Sequence, residues 1–383
     1  MTGAPAPSGV SLARRSLTYE WRRYLAAVLA VAFSGLLVIV QLALLLGLFR
    51  TVTTVVDRSG ADLWVGEAAV QSFDLARDMP ERVEFRVRSQ PGVERVERLL
   101  LGYADWRAPD GRRVTVTLVG LNVDEGSLAF PRTVPDGLRR ALLRPGGVLV
   151  ERADLGKLGL SEDGAGDSEI NGRRVSVAGI VTGFRSVGGA TIFTAEETFR
   201  SLTGSTDGGT SYLLVRLADG SDAATVQARL NRSGTGLFRA MTPEELSIMS
   251  QSYWLLESGT GVGFLFSTVL GLLVGVAITS QTLRAAILAS LREYATLRAL
   301  GIPLGALRAV VLEQSFWVGV AGLCITALGA AGVWWAAAAA EVSVAFTGWS
   351  ILGTALFTML VSLVSGLFSL GPLYRTEPAE LLR

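Results

Sequence analysis

The chain has 383 residues, half of them hydrophobic, with a mean hydropathy of +0.42 and a formal charge of +1. That is too apolar for an ordinary soluble enzyme and fits an integral membrane protein with a substantial water-soluble part; the dispersed basic residues leave no footprint for nucleic acid. The absence of histidine and a single cysteine, Cys324, exclude imidazole acid–base chemistry, His-ligated metals and an intrachain disulfide framework.

Residues 1–23 form a cytoplasmic N-terminal segment whose first thirteen residues read as disordered. Arg14, Arg15, Arg22 and Arg23 then precede an apolar run at 24–49. Arg14-Arg15 raises the question of a twin-arginine signal. The run is longer than a signal's apolar region of about 7–15 residues, and no A-x-A cleavage site follows, so a retained span is predicted. At about 1.5 Å per residue it exceeds the ~30 Å hydrocarbon core, and it tilts or projects beyond the membrane. The flanking arginines place the N-terminus in the cytoplasm.

From 50 to 258 the composition is that of a water-soluble α+β domain with stalk helices, long enough to bury its own core. Strands are predicted at 62–67, 93–106, 113–121, 147–151, 174–182, 190–193, 212–217 and 237–240, and helices at 80–89, 136–143, 195–202 and 222–231. The pattern is of α+β layers with room for two subdomains. Thr242-Pro243-Glu244-Glu245 opens a helix, with a Thr cap, Pro at the first helical position and acids in the first turn. This helix is expected to run through Tyr253 and Trp254 into the second span at 259–281.

Residues 284–301, RAAILASLREYATLRALG, carry three arginines and one glutamate between apolar segments. Ile287, Leu288, Leu291, Tyr294 and Leu297 recur at steps of three or four, the spacing of one helix face. A short amphipathic helix there would lie at the cytoplasmic surface and offer its outer face to another protein. It forms a coupling loop and elbow at 282–313 with Pro303 as the break, a second interfacial helix at 304–313, and Arg308 and Glu313 along it. The third span follows at 314–335, a short external loop at 336–349, the fourth span at 350–372 and a cytoplasmic tail at 373–383. Residues 336–348 contain no Lys or Arg, and Trp334, Trp335 and Trp349 flank them as an aromatic belt. The expected architecture is an α-helical membrane protein with four transmembrane helices in a 1+3 order, N- and C-termini inside, and a large extracytoplasmic α+β domain between helices 1 and 2.

Few residues suggest chemistry. A P-loop needs Gly-Lys-Ser/Thr, but the only lysine, Lys157, is followed by Leu158, so any ATP-derived energy must come from a partner. The acidic loop 161–172 lacks the EF-hand spacing, with Ala165 where a ligand is needed, and reads as a solvated hairpin. A Lys157/Ser161 dyad has no accompanying hydrolase motif. Gly259, Gly261 and Gly263 read as close helix packing, Gln41 and Gln281 as helix–helix hydrogen bonders, and Glu313 as an interfacial carboxylate rather than a proton relay.

The run R-E-Y-A-T-L-R-A-L-G at 292–301 resembles the coupling segment R-x-x-E-[FIY]-x-x-L-[RK]-A-x-G of the MacB/FtsX-type ABC transporter permeases, although here Arg292 and Glu293 are adjacent. The domain opening A-D-L-W-V at 61–65, the ending E-P-A-E-L-L-R at 377–383 and the order of spans also resemble that family, most of all its DevC-type exporter permeases. The resemblance implies a homodimer in the bacterial inner membrane that works with a separate cytoplasmic ABC ATPase, a periplasmic membrane-fusion adaptor and an outer-membrane duct. Membrane lipid surrounds it; nucleic acid is no partner. It further implies a non-catalytic subunit with no cofactor, ATP and Mg being held by the ATPase. On this chain Arg284, Leu291, Arg292, Glu293, Tyr294, Thr296, Leu297, Arg298, Ala299, Leu300 and Gly301 would form the ATPase-coupling surface and Pro303, Arg308 and Glu313 the elbow. The stalks, 50–57 and 242–257, would carry ATP-driven motion to the external domain. An FtsX-like regulator of cell-wall hydrolases, a lipoprotein-releasing permease and, in another class, a membrane-anchored sensor without an ATPase are the alternatives; a sensor has no need of the coupling loop.

Overall fold

The computed structural model describes residues 19, 21–130, 134–164, 166, 168–184, 189–205, 208–289, 303–340, 342 and 344–369. Helix α1, Trp21–Asp57, has no proline to interrupt it and continues past the expected end of the first span at 49. The chain divides into two compact units, 47–261 and the combination of 1–46 with 262–383, and the division falls inside α1.

In the unit 47–261, the sheet strands are β1 Leu63–Glu67, β2 Val93–Arg107, β3 Arg113–Leu121, β4 Gly147–Glu151, β5 Ser168–Ile170, β6 Arg173–Val181, β7 Ala190–Ala195, β8 Tyr212–Leu217 and β9 Phe238–Met241. The helices are α2 Arg82–Arg88, α3 Asp136–Leu142, α4 Leu155–Leu158, α5 Glu196–Thr203, α6 Ala223–Ser233 and α7 Pro243–Ser252. Among the described residues these strands form one nine-stranded sheet in the order β3-β7-β4-β6-β5-β2-β8-β1-β9. The long β2 makes this possible. Its first part pairs with β8, its second part pairs with β3, and its last two residues pair with β5. Because β2 and β3 also pair, strands β2, β3, β7, β4, β6 and β5 close into a ring, while β8, β1 and β9 extend from it. The α+β layers that left room for two subdomains thus share one sheet.

The period of two along each strand sorts side chains between cores. Val116 and Leu118 on β3, Val148 and Val150 on β4, and Ile192 on β7 join one cluster with Trp106, Leu158 and Phe199. Leu63, Val65, Leu213 and Val215 join a second, covered by Val83 and Val87 of α2 and Val226 and Leu230 of α6. Their opposite-facing neighbours, Trp64, Leu99, Val119, Leu149, Phe193 and Leu214, share a third cluster, which also takes in Val55 and Val56 at the end of α1 and Leu246 of α7. Two aromatic groups anchor that third core: Trp64, Phe73 and Tyr212 with ring centroids 5.4–5.9 Å apart, and Phe130, Phe184 and Phe193 at 4.6–5.3 Å. Each pair adds about 0.5–1.5 kcal/mol beyond its buried area. Gly120 is required by close approach: a Cβ there would stand 2.8 Å from the Phe199 Cβ.

Helix α7 does not continue into the next span. It passes into a π-helical turn, Tyr253–Glu257, and the chain breaks at Gly259, whose φ of +78° suits glycine. Helix α8, Thr260–Ala289, then runs unbroken through Arg284, so the first part of the expected amphipathic helix is the end of α8. Residues 290–302, with the coupling residues Leu291 to Gly301, lie outside the described residues. The interfacial helix expected at 304–313 is not separate. It forms the first turns of α9, Leu304–Ala339, because Pro303 precedes the helix and no proline interrupts it afterwards. Helix α10 is Gly348–Ser369. Four described helices, α1, α8, α9 and α10, are long and apolar enough to cross a membrane.

Candidate functional site

Of the predicted coupling and elbow residues, the structure describes Arg284, Pro303, Arg308 and Glu313; the residues 291–301 lie outside the described part of the chain. Arg284 is exposed on α8, where Leu283 and Ile287 are buried at 1% and 2% exposure and Leu288 is exposed. Ile287 and Leu288, read from sequence as one apolar face, therefore part company: α8 buries one and leaves the other open. Leu283 packs with Tyr24, Ala27 and Val31 of α1 and Val318 of α9. Pro303 caps α9 through its carbonyl, which accepts from the Ala306 N–H at 3.0 Å. Arg308 and Glu313 are both half-buried on α9, beside the buried Gln314 and Ser315.

The helices of the membrane unit meet along seams of small residues, as spans do where lipid supplies no hydrophobic drive between helices. Ser34 of α1 donates to the carbonyls of Ala30 and of Gly271 on α8 at 3.0 and 3.1 Å. A Cβ on Gly275 would lie 1.8 Å from the Ser34 Oγ. Thr268 donates to Gln41 at 3.3 Å, which makes Gln41 the helix–helix hydrogen bonder expected of it. On α10 the buried residues Ser350, Thr354, Thr358, Ser362, Ser365 and Ser369 recur mostly at steps of four. Ser362 donates to the Ser315 carbonyl of α9 at 2.6 Å, and a Cβ on Gly366 would stand 2.0 Å from the Ser315 Oγ. Thr326 of α9 donates to the Ala32 carbonyl of α1 at 3.1 Å.

In the soluble unit, a second constellation gathers where α1 ends. Asp57 accepts from Ser247 of α7 at 2.7 Å. Arg58 donates to the Thr182 carbonyl at 2.9 Å and lies over the Phe184 ring, 5.0 Å from its centroid. The loop it covers is held from the other side by the buried Glu151, whose carboxylate accepts from the Gly183 and Phe184 N–H groups at 2.9 and 2.8 Å. The segment Phe73–Leu75 ties the stalk to the sheet. Its Phe73 N–H donates to Ser250 of α7 at 2.9 Å, and its Asp74 accepts from the Trp254 indole at 3.2 Å. Tyr212 of β8 donates to the Phe73 carbonyl at 2.9 Å, and Gln71 donates to Glu257 at 3.1 Å. Burial, with the nearby negative charge of Asp74, pushes the Tyr212 hydroxyl well above its ordinary pKa, so it stays a donor. The sequence places Asp57, Ser247, Ser250, Trp254 and Glu257 in the stalks but not their partners, which lie up to 190 positions away, and no local pattern marks Arg58, Glu151, Phe73 or Tyr212.

Arg98 of β2 forms the centre of an ion cluster, with Glu84 and Glu81 of the α2 region and Glu196 of α5; it lies 3.0 Å from Glu81 and 3.3 Å from Glu196. Burial lowers its pKa, but the hydrogen bond and charge of Glu84, with Glu81 and Glu196, outweigh this and raise it. A cleft of about 740 Å³ is lined by Leu121, Leu142, Arg173, Arg174 and Glu196 among others. Two of the arginines that line it have partners within the domain: Arg173 donates to Ser201 at 2.6 Å, and Arg200 pairs with Glu196 at 3.0 Å. Lys157 and Ser161 go separate ways, Lys157 to Asp154 at 3.2 Å and Ser161 to Asp163 at 2.5 Å. Among the described residues, no group of three or more His, Cys, Asp and Glu is placed to hold a metal.

Two family profiles match the chain. The MacB-like periplasmic core domain covers residues 24–233, more than half of the sequence, and the FtsX-like permease C-terminal region covers 265–378. No curated protein matches. Among solved structures, the periplasmic region of MacB from Actinobacillus actinomycetemcomitans aligns at 11% identity and a TM-score of 0.35, over 49% of this chain and 92% of that one. The extracellular domain of the noncanonic ABC-type transporter YknZ from Gram-positive bacteria aligns at 16% identity and a TM-score of 0.32, over 48% of this chain and 99% of that one.

Proposed function

The chain belongs to the MacB/FtsX-type ABC transporter permeases, and on that footing we propose that it is the permease subunit of a DevC-type exporter. In this reading it forms a homodimer in a bacterial inner membrane, termini inside and soluble domain in the periplasm. A separate cytoplasmic ATPase binds the stretch 291–301, with Arg292, Glu293 and Arg298 making the polar contacts and Leu291, Tyr294 and Leu297 the apolar ones. ATP-driven closure then passes along the stalks to the periplasmic domain, where a membrane-fusion adaptor and outer-membrane duct take the substrate onward. The chain moves force; it performs no chemistry of its own.

The observation that carries the reading is α1. Its 37 residues make roughly 55 Å of uninterrupted helix, against ~30 Å of hydrocarbon core. Its final turns are built into the core of the soluble domain through Val55 and Val56 and the Asp57–Ser247 hydrogen bond. A helix that only anchored a domain would need neither the length nor the burial. The test is co-purification of an ABC ATPase expressed with the full chain and with a variant lacking residues 291–301. The expected result is loss of the ATPase from the variant, with the membrane unit still inserted. Undiminished co-purification would sink the docking role.

A further inference from the structure

The tight α9–α10 seam, held by Ser315 against Ser362 and Gly366, opens toward the 340–347 loop into a lateral groove of about 580 Å³. Leu323, Ala327, Ala330 and Trp334 of α9 and Ile351 and Ala355 of α10 line it. We propose that this groove is a binding site for one acyl chain of a phospholipid from the leaflet on the side of that loop. The inference rests on these helices being membrane spans and not on the ATPase coupling.

Length sets the occupant. Leu323 to Trp334 is three turns of helix, roughly 16 Å, which matches the ~15 Å depth of one leaflet's hydrocarbon. Trp334, which lines the groove, and Trp335 and Trp349, near the adjoining ends of α9 and α10, are all exposed as in an interfacial belt, so the groove starts at the headgroup level and ends near the midplane. A polymethylene chain, about 4–5 Å thick at ordinary carbon contact distances, fits. Polarity excludes water. The two hydroxyls in the lining donate inside the bundle: Thr354 to the Ser350 carbonyl at 2.8 Å, and Thr326 to the Gly322 and Ala32 carbonyls at 2.9 and 3.1 Å. No polar group is left for water to satisfy. The small side chains Ala327, Ala330 and Ala355 let a chain lie close to the helix backbones, where packing rather than hydrophobic transfer holds it. Residues 336–348 contain no Lys or Arg to draw an anionic headgroup, so the proposal is of a site set by the acyl chain and not by headgroup charge.

The test uses the full chain in nanodiscs doped with phosphatidylethanolamine or phosphatidylglycerol carrying a diazirine within one acyl chain. The expected result is that photolabelled peptides concentrate in 323–334 and 346–355, well above those from the equally exposed stretch Leu265–Leu273 of α8, and to the same extent for both headgroups. Filling the groove with Ala327→Leu and Ala331→Phe, both at exposed positions, should abolish the excess labelling and remove one retained phospholipid from the native mass spectrum. Labelling no greater than that of α8 in the unmodified protein overturns the proposal without reliance on any variant. So does a disulfide between two copies formed by Ala331→Cys in a Cys324→Ser background, which would assign the groove to a second copy. Retention of a lipid-modified peptide mass in place of phospholipid would equally overturn it. None of these outcomes touches ATPase co-purification, so this inference and the exporter reading fail separately.

Discussion

At the scale of single residues, the fold depends on close approaches that leave no room for a methyl group. Gly275 is the sharpest case, since a Cβ there would fall 1.8 Å from the Oγ and 2.9 Å from the Cβ of Ser34. Gly275→Ala should therefore force α1 and α8 apart and cost about 1–3 kcal/mol, as overpacking does in a filled interior. Moving the small residue across the seam tests the cause: Ser34→Gly should raise the thermal midpoint of the Gly275→Ala protein in detergent, and failure to do so would mean that the clash with Ser34 is not what costs stability, since alanine is the better helix former of the two. Tyr212 offers a test that depends on pH. Its pKa is raised by burial, so the folded state favours the protonated phenol; the associated stability is full below the unfolded value of about 10 and is lost as pH rises above it. Tyr212→Phe should thus cost about 1 kcal/mol near neutral pH, the worth of the Phe73 hydrogen bond, and that deficit should shrink and then reverse above pH ~10 in thermal melts. A deficit constant across that range would mean that Tyr212 ionises no less readily folded than unfolded.

At the scale of elements, the strands were largely legible, because alternation such as Val114-x-Val116-x-Leu118 reports a pleat with one face on a core. What alternation cannot report is partnership. Nothing local in β2 says that one strand serves β8, β3 and β5 in turn, and so the sequence leaves the number of subdomains open. Helix starts were legible for the same local reason. Thr242 accepts from the Glu245 N–H at 3.1 Å while the Glu245 carboxylate accepts from the Thr242 N–H at 2.9 Å, the capping box that its spacing announces. Helix ends were not: the π-helical turn and the break at Gly259 follow from Trp254 reaching Asp74 and Ser250 reaching Phe73, contacts almost 180 residues apart. The elbow expected at 304–313 likewise merges with the third span, because no proline follows Pro303 within α9. The contacts that join the stalks 50–57 and 242–257 to the sheet carry no local motif, whereas the arginines of 284–301 stand out in the sequence. The cap gives a direct prediction for α7: Thr242→Ala should lower stability by about 1 kcal/mol and Thr242→Ser should recover most of it, as read by thermal unfolding of the full chain. Equal loss in both variants would mean that the threonine methyl, not the cap, matters.

At the scale of the whole molecule, the exporter reading asks one element to do two jobs. Helix α1 must cross the membrane and also deliver displacement to the third, largest core, where Val55 and Val56 pack and Asp57 binds Ser247. If it works as a strut, its continuity matters more than its sequence. Thr51→Pro tests this, because Thr51 lies in the helix interior, past the apolar run and before the buried end, and its side chain makes a local hydrogen bond, to the Gly47 carbonyl at 2.7 Å. Proline there removes a backbone hydrogen bond and kinks the helix at a cost of about 3 kcal/mol, while leaving every tertiary contact of the domain core chemically intact. The expected phenotype is specific. The variant should insert, bind the ATPase and support ATP hydrolysis, yet lose export, whereas Thr51→Ala, which removes only the hydroxyl, should behave as the parent. A loss of ATPase binding in Thr51→Pro would instead place the defect in assembly, and full export would mean that force reaches the periplasmic domain by the α7 stalk alone.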